Sequence, residues 1–207
     1  MKNGLLIEHR QTLNRPFLMS ERVSLVPMDP STDAEYVCRW FNDPEVTYFM
    51  FYGQLPLNLE RTRKLLELQN DGKENLVFMI VLKDGGLKIG LTGLYDIDWI
   101  SRRSEFRILI GNKSIWGKGY GAEVTELLTW FGFDRLNMNR IDLGVTSLNK
   151  NAIKTYQNAG YEHEFTRKDY MYRNSRYYDA NFMVIFHSTY EKKFSAKHAK
   201  RFGLQNK

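Results

Sequence analysis

The 207-residue chain is 43% hydrophobic and 14% aromatic, which suits one folded domain with a substantial core and leaves a second one cramped. Its longest apolar run, residues 76–82, is too short to cross a bilayer, no signal-peptide pattern opens the chain, and the single Cys38 excludes an internal disulfide, so a cytoplasmic protein without membrane contact is expected. The net charge of +6 raises nucleic-acid binding, but residues 191–207 hold six basic residues against Glu191 alone, so most of the excess belongs to a basic C-terminal tail, expected to be a frayed, solvated end with at most weak attraction for RNA.

Residues 1–19 show no sustained period, and Pro16 interrupts them, which predicts an extension. Arg22-Val23-Ser24-Leu25-Val26 alternates as a half-buried strand does, and Pro27 and Pro30 end it. Beyond Asp33, the residues Ala34, Val37, Cys38 and Phe41 share one helical face, up to a stop at Asn42-Asp43-Pro44. Tyr48, Phe49, Phe51 and Tyr52 form an aromatic loop closed by Gly53, and residues 57–69 predict a second helix. Residues 76–83, 87–95 and 105–110 read as an antiparallel meander whose first hairpin turns at Asp84-Gly85-Gly86.

A glycine-rich loop follows, Trp116-Gly117-Lys118-Gly119-Tyr120-Gly121-Ala122, and runs straight into a helix marked by Val124, Leu127, Leu128 and Phe131. Residues 140–147 predict a strand, and residues 151–159 a short helix with Gly160 at its left-handed stop. Residues 161–167 and 177–186 pair through a turn at Arg173-Asn174-Ser175-Arg176. This order predicts an α/β fold: a mixed, mostly antiparallel sheet flanked by helices, with one parallel crossover through the glycine-loop helix. The chain divides into an extension (1–19), one domain (20–190) and the basic tail (191–207).

Glycines ahead of a helix N-terminus suit a phosphate, because free N–H groups and the positive end of the helix dipole converge there. A P-loop is excluded, since no Gly-x-x-x-x-Gly-Lys-Ser/Thr occurs. Gly117, Gly119 and Ala122 match the dinucleotide fingerprint only formally. Residues 111–116 separate them from the preceding strand, and Asp142 lies at the start of the next strand rather than its end. What these residues leave open is a loop for another kind of phosphate or an ordinary glycine-rich strand-to-helix turn.

Four ordered segments resemble the GNAT superfamily of N-acyltransferases, and within it the RimJ/RimL-like branch of ribosomal-protein N-terminal acetyltransferases. Trp116-x-x-Gly119-x-Gly121 aligns with the acetyl-CoA signature Gln/Arg-x-x-Gly-x-Gly/Ala, with Trp at its first position. Asn149-x-x-Ala152-Ile153-x-x-Tyr156-x-x-x-Gly160-Tyr161 resembles the second cofactor segment. Arg176-Tyr177-Tyr178-Asp179 resembles the closing strand, with Ser175 where glycine is usual, and Trp40-Phe41-Asn42-Asp43-Pro44-Glu45-Val46 the exit of the first helix.

The resemblance implies acetyl transfer from acetyl-CoA to a primary amine by direct attack in a ternary complex, within a GNAT-type sheet whose splayed parallel strand pair holds the cofactor. It places the strand that includes Leu109 and Ile110 along the cofactor, and Trp116, Gly117, Lys118, Gly119, Tyr120, Gly121 and Ala122 at its pyrophosphate, with Asn149, Ala152 and Tyr156 on the second segment. Lys118 equally suits a solvent-facing loop lysine, and Asn149 equally suits a helix cap.

Tyr156 is expected to donate a proton to the departing thiolate, the alternative being a packing tyrosine beside Ala152 and Ile153. Glu105 is the candidate base, with Asp96 and Asp98 as rivals. No metal site is expected from the four histidines. The aromatics at 48–52 and at Tyr170, Tyr172, Tyr177 and Tyr178 suit an acceptor pocket, ordinary packing or a homodimer surface equally. Acceptors in view are a peptide N-terminus or a small amine such as an aminosugar or polyamine. The rival from another class is a non-catalytic acyl-CoA-binding or ribosome-associated module that uses the tail.

Overall fold

The computed structural model describes residues 15–203. In chain order the elements are β1 (Leu18–Met19), β2 (Val23–Pro27), α1 (Pro30–Phe41), α2 (Leu59–Gln69), β3 (Leu76–Leu82), β4 (Lys88–Asp98) and β5 (Arg103–Ile110). A 3-10 turn (Lys113–Ile115) leads into α3 (Tyr120–Trp130), which runs on as a π-turn through Arg135. There follow β6 (Arg140–Thr146), α4 (Lys150–Asn158), β7 (Glu162–Arg173), β8 (Arg176–Phe186), α5 (His187–Lys193) and α6 (Ser195–Phe202). Eight strands form one sheet in the order β1-β2-β3-β4-β5-β6-β8-β7. Every neighbouring pair is antiparallel except β5–β6.

Both faces of the sheet are covered, and β3 shows why. Its side chains alternate: Val77 and Met79 join a core with Ala34, Val37, Phe41 and Leu66 of α1 and α2, while Phe78 and Ile80 join one with Val124, Leu127 and Leu128 of α3. An unbroken apolar run is what a strand buried on two faces requires.

The first helix begins earlier than Asp33 suggests. Asp29 is its N-cap, accepting the Ser31 N–H at 2.9 Å, and Pro30 sits in the first turn, where its missing donor costs nothing. Asp33 lies inside the helix, buried, where it accepts the Asp29 N–H at 2.8 Å and pairs with Lys88. The last hairpin is also longer than its alternation predicts. β7 continues past Arg167 through a bulge to Arg173, with Asp169 at φ 48°, and the tip turns through Asn174 and Ser175 at φ 48° and 60°.

The expected frayed tail is not what residues 191–203 form. Tyr190, Phe194, His198 and Phe202 recur every four residues and make one ring-lined stripe, with His198 centred 5.6 Å from Tyr190 and 5.4 Å from Phe202. That stripe docks α6 on α3, where Phe202 meets Trp130 at 6.0 Å. Lys197 pairs with Glu126 of α3 at 2.8 Å, and Arg201 joins it. Two of the tail's cations are therefore spent inside the fold.

Candidate active site

The parallel pair is short. Only Arg103↔Arg140, Ser104↔Ile141 and Glu105↔Asp142 are in register, after which β5 runs on to Ile110 and β6 to Thr146 without pairing with each other. Their outer edges stay bonded, to β4 as far as Gly90↔Ile110 and to β8 as far as Thr146↔Ala180. A cleft opens between two strands, and residues 106–110 face it with backbone groups free of a strand partner. An extended chain can satisfy such an edge.

At the far end of that edge lies the glycine loop. Gly117 and Gly119 hold φ of 75° and 82°, conformations that side-chain-bearing residues resist. Gly119 is the N-cap of α3 and supplies no side-chain cap, so the N–H groups of the first helical turn remain open to an anion. Lys118 is exposed, and its own N–H turns back to the Ile115 carbonyl at 3.4 Å. Trp116 donates its indole N–H to the Ile110 carbonyl at 2.8 Å, tying the loop to the end of β5.

Two residues that sequence reasoning passed over support this loop. Glu123, buried in the first turn of α3, accepts the Ser20 hydroxyl at 2.6 Å and the Arg22 N–H and Nε at 2.8 and 2.7 Å. Burial pushes its carboxyl up, but the hydrogen bonds from Ser20 and Arg22 outweigh that and hold it below the usual carboxylate value. Arg22 also donates to the Lys118 carbonyl at 3.0 Å and lies over the Tyr120 ring at 4.5 Å. The available signal was Glu123 itself, a carboxylate four residues past a helix N-cap, on the apolar side of an otherwise regular helix.

Tyr156 lies half-buried on α4, edge-on to Phe106 at 6.2 Å, the first β5 residue beyond the parallel register. Burial alone pushes its phenol up to about 12, so it holds its proton at neutral pH. Asn149 caps α4, its side-chain oxygen accepting the Ala152 N–H at 3.1 Å.

Glu105, the candidate base, is less free than expected. It shares a face of β5 with Arg107, whose guanidinium takes both its oxygens at 2.9 Å and also Asp96 at 2.6 Å. Asp98 is occupied elsewhere, accepting the N–H groups of Ile100 and Ser101 at 3.0 and 2.9 Å.

On that face a cavity of about 360 Å³ opens between β5, α1, α2 and the aromatic loop. Phe41, Met50, Phe51, Leu65, Leu91 and Leu109 give it apolar walls, with Tyr52, Tyr95 and Arg107 at its polar side. The last hairpin holds its roof. Arg173 donates to the carbonyls of Thr47, Met50 and Tyr52 at 3.1, 2.9 and 3.3 Å, and Tyr170 packs edge-on to Phe51 at 5.0 Å. The expected aromatics thus divide: Phe51 and Tyr52 line the cavity, whereas Tyr172 and Tyr177 pair with each other at an exposed hairpin tip.

Residues 22–162 match the acetyltransferase (GNAT) domain. The chain belongs to the GNAT acetyltransferase family. This acetyltransferase is 30% identical over 177 residues to the uncharacterized N-acetyltransferase p20 of Bacillus licheniformis, covering 84% of this chain and 97% of that one. It is 29% identical over 168 residues to spermidine N(1)-acetyltransferase of Escherichia coli K12, covering 81% and 88%. Its fold is that of the spermidine N-acetyltransferase of Vibrio cholerae solved with CoA and spermine, with a TM-score of 0.74 over 82% of this chain and 98% of that one at 24% identity. The superfamily expected from the four ordered segments is thereby established, whereas these relatives do not single out the RimJ/RimL-type branch.

Proposed function

We propose that the enzyme transfers the acetyl group of acetyl-CoA to a primary amine seated in the cavity beside β5, by direct attack within a ternary complex. The observation that carries this reading is the splay of β5 from β6, with an open helix N-terminus at one end and a protonated tyrosine at the other. The cleft fits the donor: residues 106–110 offer a free strand edge to the pantetheine arm, and Gly117, Gly119, Gly121 and Ala122 offer N–H groups to the pyrophosphate. Acetyl-CoA supplies the activated thioester.

Tyr156 holds the proton that the leaving sulfur requires. A free N–H on the cleft edge suits the charge that develops on the carbonyl oxygen. Glu105 and Asp96, bridged by Arg107, form the acidic corner nearest the cavity, and the amine's proton passes to them through water because Arg107 occupies the Glu105 oxygens. The names of the relatives from Escherichia coli and Vibrio cholerae support polyamines among the acceptors to be tried.

The test is thiol release from acetyl-CoA with a panel of peptide N-termini, aminosugars, aryl amines and polyamines. Release that depends on an amine is the expected result. Failure to bind acetyl-CoA would overturn the reading.

A further inference from the structure

We infer that the acceptor is a primary amine carrying a single positive charge on an apolar or flat body, and not a polyamine. This rests on the proposed acetyl transfer and on the cavity beside β5 as the acceptor site. The cavity walls decide it. Among the described residues its lining holds no carboxylate; its polar groups are two phenols, two side-chain amides and the Arg107 guanidinium. An ammonium group taken from water into such walls needs a counter-charge within reach.

The carboxylates at hand are Glu105 and Asp96, and both are engaged by Arg107, at 2.9 and 2.6 Å. That corner carries one negative charge in excess of its guanidinium, which balances one ammonium. Helix α2, which walls the cavity with Leu65 and Gln69, adds Arg61, Arg63 and Lys64 against Glu60 and Glu67, so it supplies no further negative field.

A triamine would therefore bring ammonium groups that none of the described residues lining the cavity neutralises. An amine on a hydrocarbon or ring-shaped body would bring one, and would cover Met50, Phe51, Leu91 and Leu109 with matching apolar surface. The Phe51 ring at the roof and the planar Arg107 guanidinium, which lies over the buried Tyr95 ring at 4.7 Å, favour a body with flat faces.

The experiment compares kcat/KM for phenethylamine, tyramine, leucinamide, spermidine and spermine at saturating acetyl-CoA. Calorimetry with the same amines and the CoA-loaded protein gives a readout that does not depend on turnover. The monoamines are expected to exceed spermidine at least tenfold in both. Leu55, 80% exposed at the cavity mouth, allows a converse test without disturbing the core. Leu55→Glu is expected to narrow the gap by raising kcat/KM for spermidine relative to phenethylamine. Acetyl-CoA bound with spermidine preferred, or with no monoamine bound, would overturn this inference and leave acetyl transfer standing. No binding of acetyl-CoA would overturn both.

Discussion

Arg22 and Glu123 lie 101 residues apart, and their side chains meet at 2.7 Å directly beneath the glycine loop. The pair joins the start of β2 to the first turn of α3, and the remaining guanidinium nitrogens reach the Lys118 carbonyl and the neighbourhood of Gly119. One buried carboxylate thus fixes a cation against the loop that is proposed to take a pyrophosphate.

Arg22→Ala is expected to raise KM for acetyl-CoA about tenfold with little change in kcat, since a charge-assisted contact to the loop contributes roughly 1.5–3 kcal/mol. Steady-state kinetics with acetyl-CoA and with acetyl-pantetheine separates the causes. The penalty should disappear with the truncated donor, which has no pyrophosphate; an equal penalty for both donors would mean that Arg22 only supports the fold.

Arg173→Leu should loosen the aromatic loop, because it removes the donor shared by the Thr47, Met50 and Tyr52 carbonyls. KM for the amine is expected to rise several-fold while KM for acetyl-CoA stays fixed. A change in the acetyl-CoA term alone would contradict the assignment of this cavity to the acceptor.

His198 sets a pH dependence of stability. Its ring is fully buried with neither nitrogen hydrogen-bonded, among Tyr190, Phe194 and Phe202, with Glu126, Asp134, Lys197 and Arg201 as the charges around it. Burial pushes it down to about 4 from the ordinary 6.5. The folded pKa is the lower one, so the unfolded chain binds the extra proton between those values, and stability falls as pH drops from 6.5 toward 4. The loss approaches about 3 kcal/mol at the acid end. Thermal melts of wild type and His198→Leu between pH 7.5 and 4.5 should show the variant losing less on acidification. Parallel losses would place the acid sensitivity elsewhere.

Much of this architecture was legible in the sequence because alternation and glycine punctuation are local. The β3–β4 hairpin, the glycine loop and the α4 segment with Tyr156 follow from patterns only a few residues wide. What escaped is side-chain pairing, across 101 residues for Arg22 and Glu123 and across only two, along one strand, for Glu105 and Arg107. Arg22 reads as an ordinary strand-edge arginine until Glu123 is beside it, and Glu105 reads as a free carboxylate until Arg107 folds onto it from the same face of β5. The tail misled for a different reason. Its charge speaks for a solvated end, whereas its four-residue ring spacing, from Tyr190 to Phe202, docks the helix.

The most direct test of the proposed chemistry is amine-dependent thiol release by Tyr156→Phe beside wild type, with a thermal melt of each. The hydroxyl makes no hydrogen bond that shifts its titration, so the fold should not miss it. Loss of a positioned proton donor should lower kcat about 100-fold or more, with the melting temperature and KM for acetyl-CoA unchanged. A variant that turns over as fast as wild type would contradict the assignment of Tyr156 as the acid.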